Sequence, residues 1–145
     1  MKRRTFLTTV AGVTTTALAG CIGSSLPQPA SDYDVGMSHH SYLPEAVEVR
    51  VGETVVWGNS GSRGHTVTAY GGEIPEGAAY FASGGFEDED AARDAWNANP
   101  SQPEGGLIAP GETFEHTFEM PGTYGYVCIP HEPQGMVGTV TVVEK

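Results

Sequence analysis

From Val35 onward, apolar and polar positions alternate with a period of two in short runs, each broken by a cluster of Gly, Pro, Asn or Ser. That is the pattern of short strands with one face on a core. Val47, Val49 and Val51 alternate with Glu48 and Arg50, Gly52-Glu53 predicts a turn, and Thr54 to Trp57 resumes the alternation. After a loop at Asn59-Ser60-Gly61-Ser62, a further strand is expected to open at His65-Thr66-Val67-Thr68. A second block starts at Pro110-Gly111-Glu112, runs through Thr113 to Phe118, turns at Met120-Pro121-Gly122 and continues from Thr123 to Cys128; the last strand is Val137 to Val143. β-Branched and aromatic residues fill the runs while Gly and Pro fill the turns, so propensity and pattern agree on an all-β sandwich.

Between the two blocks, residues 71–107 are too long for a hairpin loop and too rich in Glu, Asp, Ala and Asn for strands. This stretch reads as an insertion. Glu87-Asp88-Glu89-Asp90 leads into Ala91 through Trp96, and carboxylates suit the positive end of a helix dipole, which predicts a helix near 87–97 with Ala92 and Trp96, four apart, facing the sandwich.

The N-terminal pattern differs. Lys2-Arg3-Arg4 precedes Phe6-Leu7 and a mildly apolar stretch from Val10 to Ala19, too short and too threonine-rich for a spanning helix, so residues 1–20 read as a signal peptide. The paired arginines resemble a twin-arginine export signal. Leu18-Ala19-Gly20-Cys21 resembles a lipobox, which implies cleavage before Cys21, lipidation of that cysteine and anchorage at the outer face of the cytoplasmic membrane. The small, polar, Pro-rich residues that follow have the composition of a flexible tether, taken as 21–34, ahead of a folded domain at 35–145.

Composition narrows the function classes. With Lys2, Arg3 and Arg4 in the leader, the remaining chain holds four Lys and Arg against 18 Asp and Glu, a net charge of −14. A nucleic-acid partner is excluded on this balance, since binding one requires clustered cations that displace counterions. So acidic a surface fits a high-salt setting, where repulsion between carboxylates is screened, and equally an acidic exported protein in general. The two cysteines are not expected to pair with each other: Cys21 lies in the lipobox, and Cys128 lies in a pattern that needs a free thiolate.

That pattern is Cys128-Ile129-Pro130-His131-Glu132-Pro133-Gln134-Gly135-Met136, which sets thiolate, imidazole and thioether within nine residues between two strands. Soft sulfur together with imidazole selects copper, and two His with one Cys and a weak axial Met suit both of its oxidation states. The second imidazole has to come from elsewhere in the chain. His65 is the best placed, after a Gly-containing loop and at the start of a strand; His116 is expected to face the core or an edge, and His39 and His40 to be solvent-exposed. A single cysteine with a methionine departs from the closed Cys and His sets of structural zinc.

At these residues the chain resembles the plastocyanin-like cupredoxins, and in make-up the halocyanins, which are small blue-copper proteins. The Cys-x-x-His-x-x-x-x-Met spacing, Tyr124-Gly125-Tyr126 before Cys128, Pro130 and Gly135 carry the resemblance. It implies a two-sheet Greek-key sandwich with one type 1 copper at one end, bound by His65, Cys128 and His131 with Met136 as the long axial ligand and with the Gly64 carbonyl nearby. It also implies reversible one-electron transfer through the edge of His131, within an apolar patch drawn from Ile129, Pro130, Pro133 and Met136. Redox proteins of a respiratory or related chain are the expected partners of a monomer. Where the family commonly has Asn after the first histidine, this chain has Thr66, so the tie between the two ligand segments is an open question. Copper storage or delivery is the alternative reading. A copper enzyme would need a second site, for which only His39, His40 and His116 remain.

Overall fold

The computed structural model describes residues 32–144. The expected leader, Cys21 and most of the expected tether lie outside the described residues.

Eight strands form: β1 (Val35–Ser38), β2 (Ser41–Leu43), β3 (Ala46–Arg50), β4 (Thr54–Asn59), β5 (Thr68–Ala69), β6 (Thr113–Thr117), β7 (Gly122–Val127) and β8 (Val137–Val143); they lie on the alternating runs expected from the pattern, except β2, which the pattern does not announce. One four-stranded sheet has the order β2-β1-β4-β6 and the other β3-β8-β7-β5. Both are mixed, since β1 runs parallel to β4 and β3 parallel to β8, while the remaining pairs are antiparallel. The period of two sends Val140 and Val142 of β8, Tyr124 and Tyr126 of β7, and Val55 and Trp57 of β4 into the space between the sheets. Trp57 is the hub of this core, edge-on to Tyr126 at 5.4 Å and stacked on Phe81 at 5.9 Å.

Tyr33 and Asp34 already belong to the body. Asp34 exchanges two hydrogen bonds with Val56, its peptide N–H donating to the Val56 carbonyl at 2.7 Å and its carboxylate accepting from the Val56 N–H at 2.8 Å.

The insertion contains the expected helix, α1 (Glu89–Ala98), with Asp88 as its N-cap accepting from the Ala91 N–H at 2.8 Å. Ala92 and Trp96 are its buried residues, as the spacing predicts. The insertion also reaches further into the fold than a surface loop does, because Phe81 is 3% exposed and lies in the main core.

One expected strand is shorter than the pattern implies. β5 is only Thr68–Ala69, and His65 makes an isolated bridge with Ile108 instead of opening a ladder. Side chains take over the backbone pairing there: the Val67 N–H donates to Ser83 Oγ at 3.1 Å, and the Thr66 N–H is directed at Cys128 Sγ.

Candidate metal centre

Cys128 follows the last residue of β7, and the chain then turns through a short 3₁₀ helix, Ile129–Gln134, with Pro130 in its first turn and Gly135 as its C-cap. Gly135 has φ of 84°, a left-handed conformation that side chains rarely adopt. The loop closes on itself: the Cys128 N–H donates to the Met136 carbonyl at 3.0 Å, the His131 N–H to the Cys128 carbonyl at 3.1 Å, and the Met136 N–H to the His131 carbonyl at 3.2 Å. Thiol, imidazole and thioether are thus set by local geometry.

His65 is fastened from the other side. Its N–H donates to the Ile108 carbonyl at 3.2 Å and its carbonyl accepts from the Ile108 N–H at 2.8 Å. The Asn59 amide donates to the Arg63 and Ile108 carbonyls at 2.6 and 2.9 Å while its oxygen accepts from the Gly61 N–H at 3.0 Å, which shapes the loop leading to His65. Gly64 has no room for a side chain, since a Cβ there would collide with Leu107 Cδ1.

These two segments bring three donors together. His131 Nδ1 lies 3.4 Å and His65 Nδ1 3.7 Å from Cys128 Sγ, and the three ligand atoms all fall within 4.8 Å of one another. For one sulfur and one nitrogen bound at about 2.3 and 2.0 Å with 120° between them, the separation is about 3.7 Å, so the spacing fits a shared ion. Met136 is fully buried in the same core cluster as Cys128. His65 and Cys128 are both 0% exposed, and His131 is half-buried.

The electrostatics agree with a ligand role. Burial, assisted by neighbouring His131, pushes His65 down to about 4, and burial likewise lowers His131, so both rings are neutral with a free lone pair. Burial pushes the Cys128 thiol up to about 11, against the hydrogen bonds from Thr66, so a metal has to displace its proton. His65 Nε2 is buried with no hydrogen-bond partner among the described residues, while Nδ1 is the ring nitrogen that faces Cys128 Sγ.

Thr66 answers the question left by the absent Asn. Its hydroxyl accepts from the Ile129 N–H at 2.9 Å and from Thr68 at 3.2 Å, and its carbonyl accepts from Tyr42 at 2.7 Å. The two ligand segments are therefore tied, by a hydroxyl in place of an amide.

Two features go beyond the sequence reading, and one corrects it. Met136 is 0% exposed and cannot form part of the expected surface patch; of its other members Pro133 is exposed and Ile129 and Pro130 are partly so, with exposed Gln134, Gly135 and Val137 beside them. Glu132, next to His131, is gripped from the insertion: Arg93 Nη1 and Nη2 donate to its two oxygens at 2.9 and 3.3 Å, and Tyr70 donates at 2.8 Å. His39 and His40 are exposed as expected, yet His40 lies 5.1 Å, ring to ring, from His131. Nothing in their spacing along the chain signals this; it follows from the two-residue turn they occupy between paired Ser38 and Ser41. His116 is half-buried and stacks on Phe81 at 4.7 Å, away from the site.

A sandwich that brings imidazole, thiol and thioether donors together in this way defines a cupredoxin-type copper protein. The chain belongs to the family of copper binding proteins of the plastocyanin/azurin type, whose model matches residues 30–143. It is 36% identical over 101 residues to plastocyanin of Scenedesmus fuscus, covering 70% of this chain and 85% of that one. It is also 36% identical over 101 residues to chloroplastic plastocyanin of Hordeum vulgare, of which it spans about half (54%). Among solved structures it is similar to amicyanin from Paracoccus versutus, with a TM-score of 0.52, 27% identity and coverage of 79% of this chain and 84% of that one. Copper is the cofactor of this family, and its members are electron carriers, not enzymes.

Proposed function

We propose that this protein carries single electrons between redox proteins at the outer face of the cytoplasmic membrane, with type 1 copper that would be held by His65 and His131 through Nδ1, by the Cys128 thiolate and by Met136. The observation that carries this reading is the meeting of three donors, two fully buried and one half-buried, from two distant segments, with the two imidazole Nδ1 atoms 3.4 and 3.7 Å from the sulfur. Copper, when bound, supplies a one-electron couple. The chain supplies the rest. Three fully buried ligands keep water out, the hydrogen-bonded loop keeps the donors in place in both oxidation states, and the half-buried ring of His131 gives a partner its point of contact.

The copper-loaded protein is expected to show an intense visible thiolate-to-copper band that bleaches reversibly on reduction and vanishes in Cys128→Ser. A colourless Cu(II) complex would overturn the reading. Copper storage or delivery is a second reading, favoured by the exposed His39 and His40 beside the site and opposed by the burial of His65 and Cys128. Reversible cycling without loss of the ion to a chelator decides for the carrier.

The remaining assignments rest on the sequence. Residues 1–20 act as the export signal, Cys21 carries the lipid, 21–34 is the tether, and 35–145 works as a monomer of halocyanin type with a respiratory or related chain as its partner. Detergent-phase partitioning that is lost in Cys21→Ser tests the anchor.

A further inference from the structure

His39 and His40 have no part in the proposed copper site, although they stand at its mouth. Both are exposed, and they fill the turn between β1 and β2. Their rings begin a file of imidazoles that leads inward: His39 to His40 at 6.1 Å, His40 to His131 at 5.1 Å, and His131 to His65 at 4.9 Å between centroids. An ion held by a ring nitrogen at about 2.0 Å sits about 3.2 Å from that ring's centroid, so two rings sharing an ion lie at most about 6.4 Å apart. Each successive pair satisfies this limit. Of the three buried-site donors only His131 reaches solvent, so an entering ion meets the site on that side. Among the divalent first-row ions, copper binds imidazole most strongly.

We propose that His39 and His40 form an outer capture site that takes Cu(II) from solution and passes it by ligand exchange, by way of His131, to the buried donors. The ion stays Cu(II) throughout: imidazole nitrogens displace its bound waters to solvent, the bonds to His39 and His40 break as those to the buried donors form, and the Cys128 thiol proton leaves to solvent as the sulfur binds. This rests on the copper reading above.

The test uses copper-free protein mixed with limiting Cu(II), following growth of the visible band in a stopped-flow instrument. For His39→Gln/His40→Gln, loading is expected to slow about tenfold or more, the scale on which residues supporting a metal site act, with the final band and the unfolding midpoint as in the wild type. A second arm uses Cys128→Ser, in which the outer pair is expected to hold Cu(II) as a colourless species with nitrogen couplings in its electron paramagnetic resonance spectrum. Adding the two Gln substitutions should remove the couplings of the outer rings from that signal and leave those of His65 and His131. Wild-type loading rates in the double variant, or an unchanged resonance signal in the triple variant, would overturn the capture site while leaving the copper centre standing. Failure of the wild type itself to develop the band would instead overturn the copper reading.

Discussion

Arg93→Met isolates what the insertion does for the metal loop. The guanidinium donates from Nε to Glu89 at 2.8 Å and from Nη1 and Nη2 to Glu132 at 2.9 and 3.3 Å, with side-chain exposures of 29% for Arg93, 26% for Glu89 and 37% for Glu132. The pair with Glu89 is of the helical i,i+4 kind and is worth about 0.4 kcal/mol. A buried charged hydrogen bond contributes about 1.5–3 kcal/mol, but groups roughly a third exposed are screened, which reduces the fork to Glu132 to about 1 kcal/mol. Methionine keeps most of the apolar stem, so the loss is electrostatic and totals about 1.5 kcal/mol, or about 5 °C in Tm for a domain of this size. Urea unfolding of Arg93→Met, Glu132→Gln and the double variant closes a cycle with an expected coupling of about 1 kcal/mol, shrinking in molar salt as screening shortens to about 3 Å. Arg93, with Tyr70, also holds the Glu132 carboxyl below its usual range, so this stabilisation is present at neutral pH and is lost as pH falls through that lowered value. Coupling below about 0.3 kcal/mol would refute the claim that the insertion is fastened to the loop by this ion pair.

Other perturbations have equally definite outcomes. The copper-free protein should lose stability as pH falls from about 6.5 toward about 4, because the unfolded chain protonates an imidazole that buried His65 does not; pH-dependent urea midpoints check the slope, and a flat profile would contradict it. Thr66→Val removes the acceptor for the Ile129 N–H and is expected to cost about 1–3 kcal/mol and to weaken copper binding about tenfold or more, as read by chelator competition. Phe81→Ala empties the core position supplied by the insertion and should cost about 3–5 kcal/mol in unfolding, with the visible band of surviving folded protein unmoved.

These predictions divide according to how each residue acts, and so does what was legible beforehand. The strands were readable because a strand buries alternate residues whatever it pairs with, so Val137 to Val143 announces itself by composition alone; the helix was readable for the same reason, its cap and its buried Ala92 and Trp96 all lying within one short stretch. The 128–136 segment was readable because Pro130 and Gly135 close the loop locally, which leaves Cys128, His131 and Met136 little freedom in where they converge. His65 came from residue type and from its place after a loop. By contrast, Arg93 and Glu132 are 39 residues apart, and Phe81 enters the core from a stretch with no strand periodicity, so neither role has a local signature. One member of the expected surface patch, Met136, departs from the reading for a related reason. Met136 was assigned to it from its place beside the loop, yet it lies in the core cluster with Cys128, and only the packing of both sheets decides which side of a loop residue meets solvent. The file from His39 to His65 lies at the same boundary: each ring is visible in the sequence, but the distance between His40 and His131 is set by where the β1–β2 turn comes to rest, and any function carried by that distance can only be read in three dimensions.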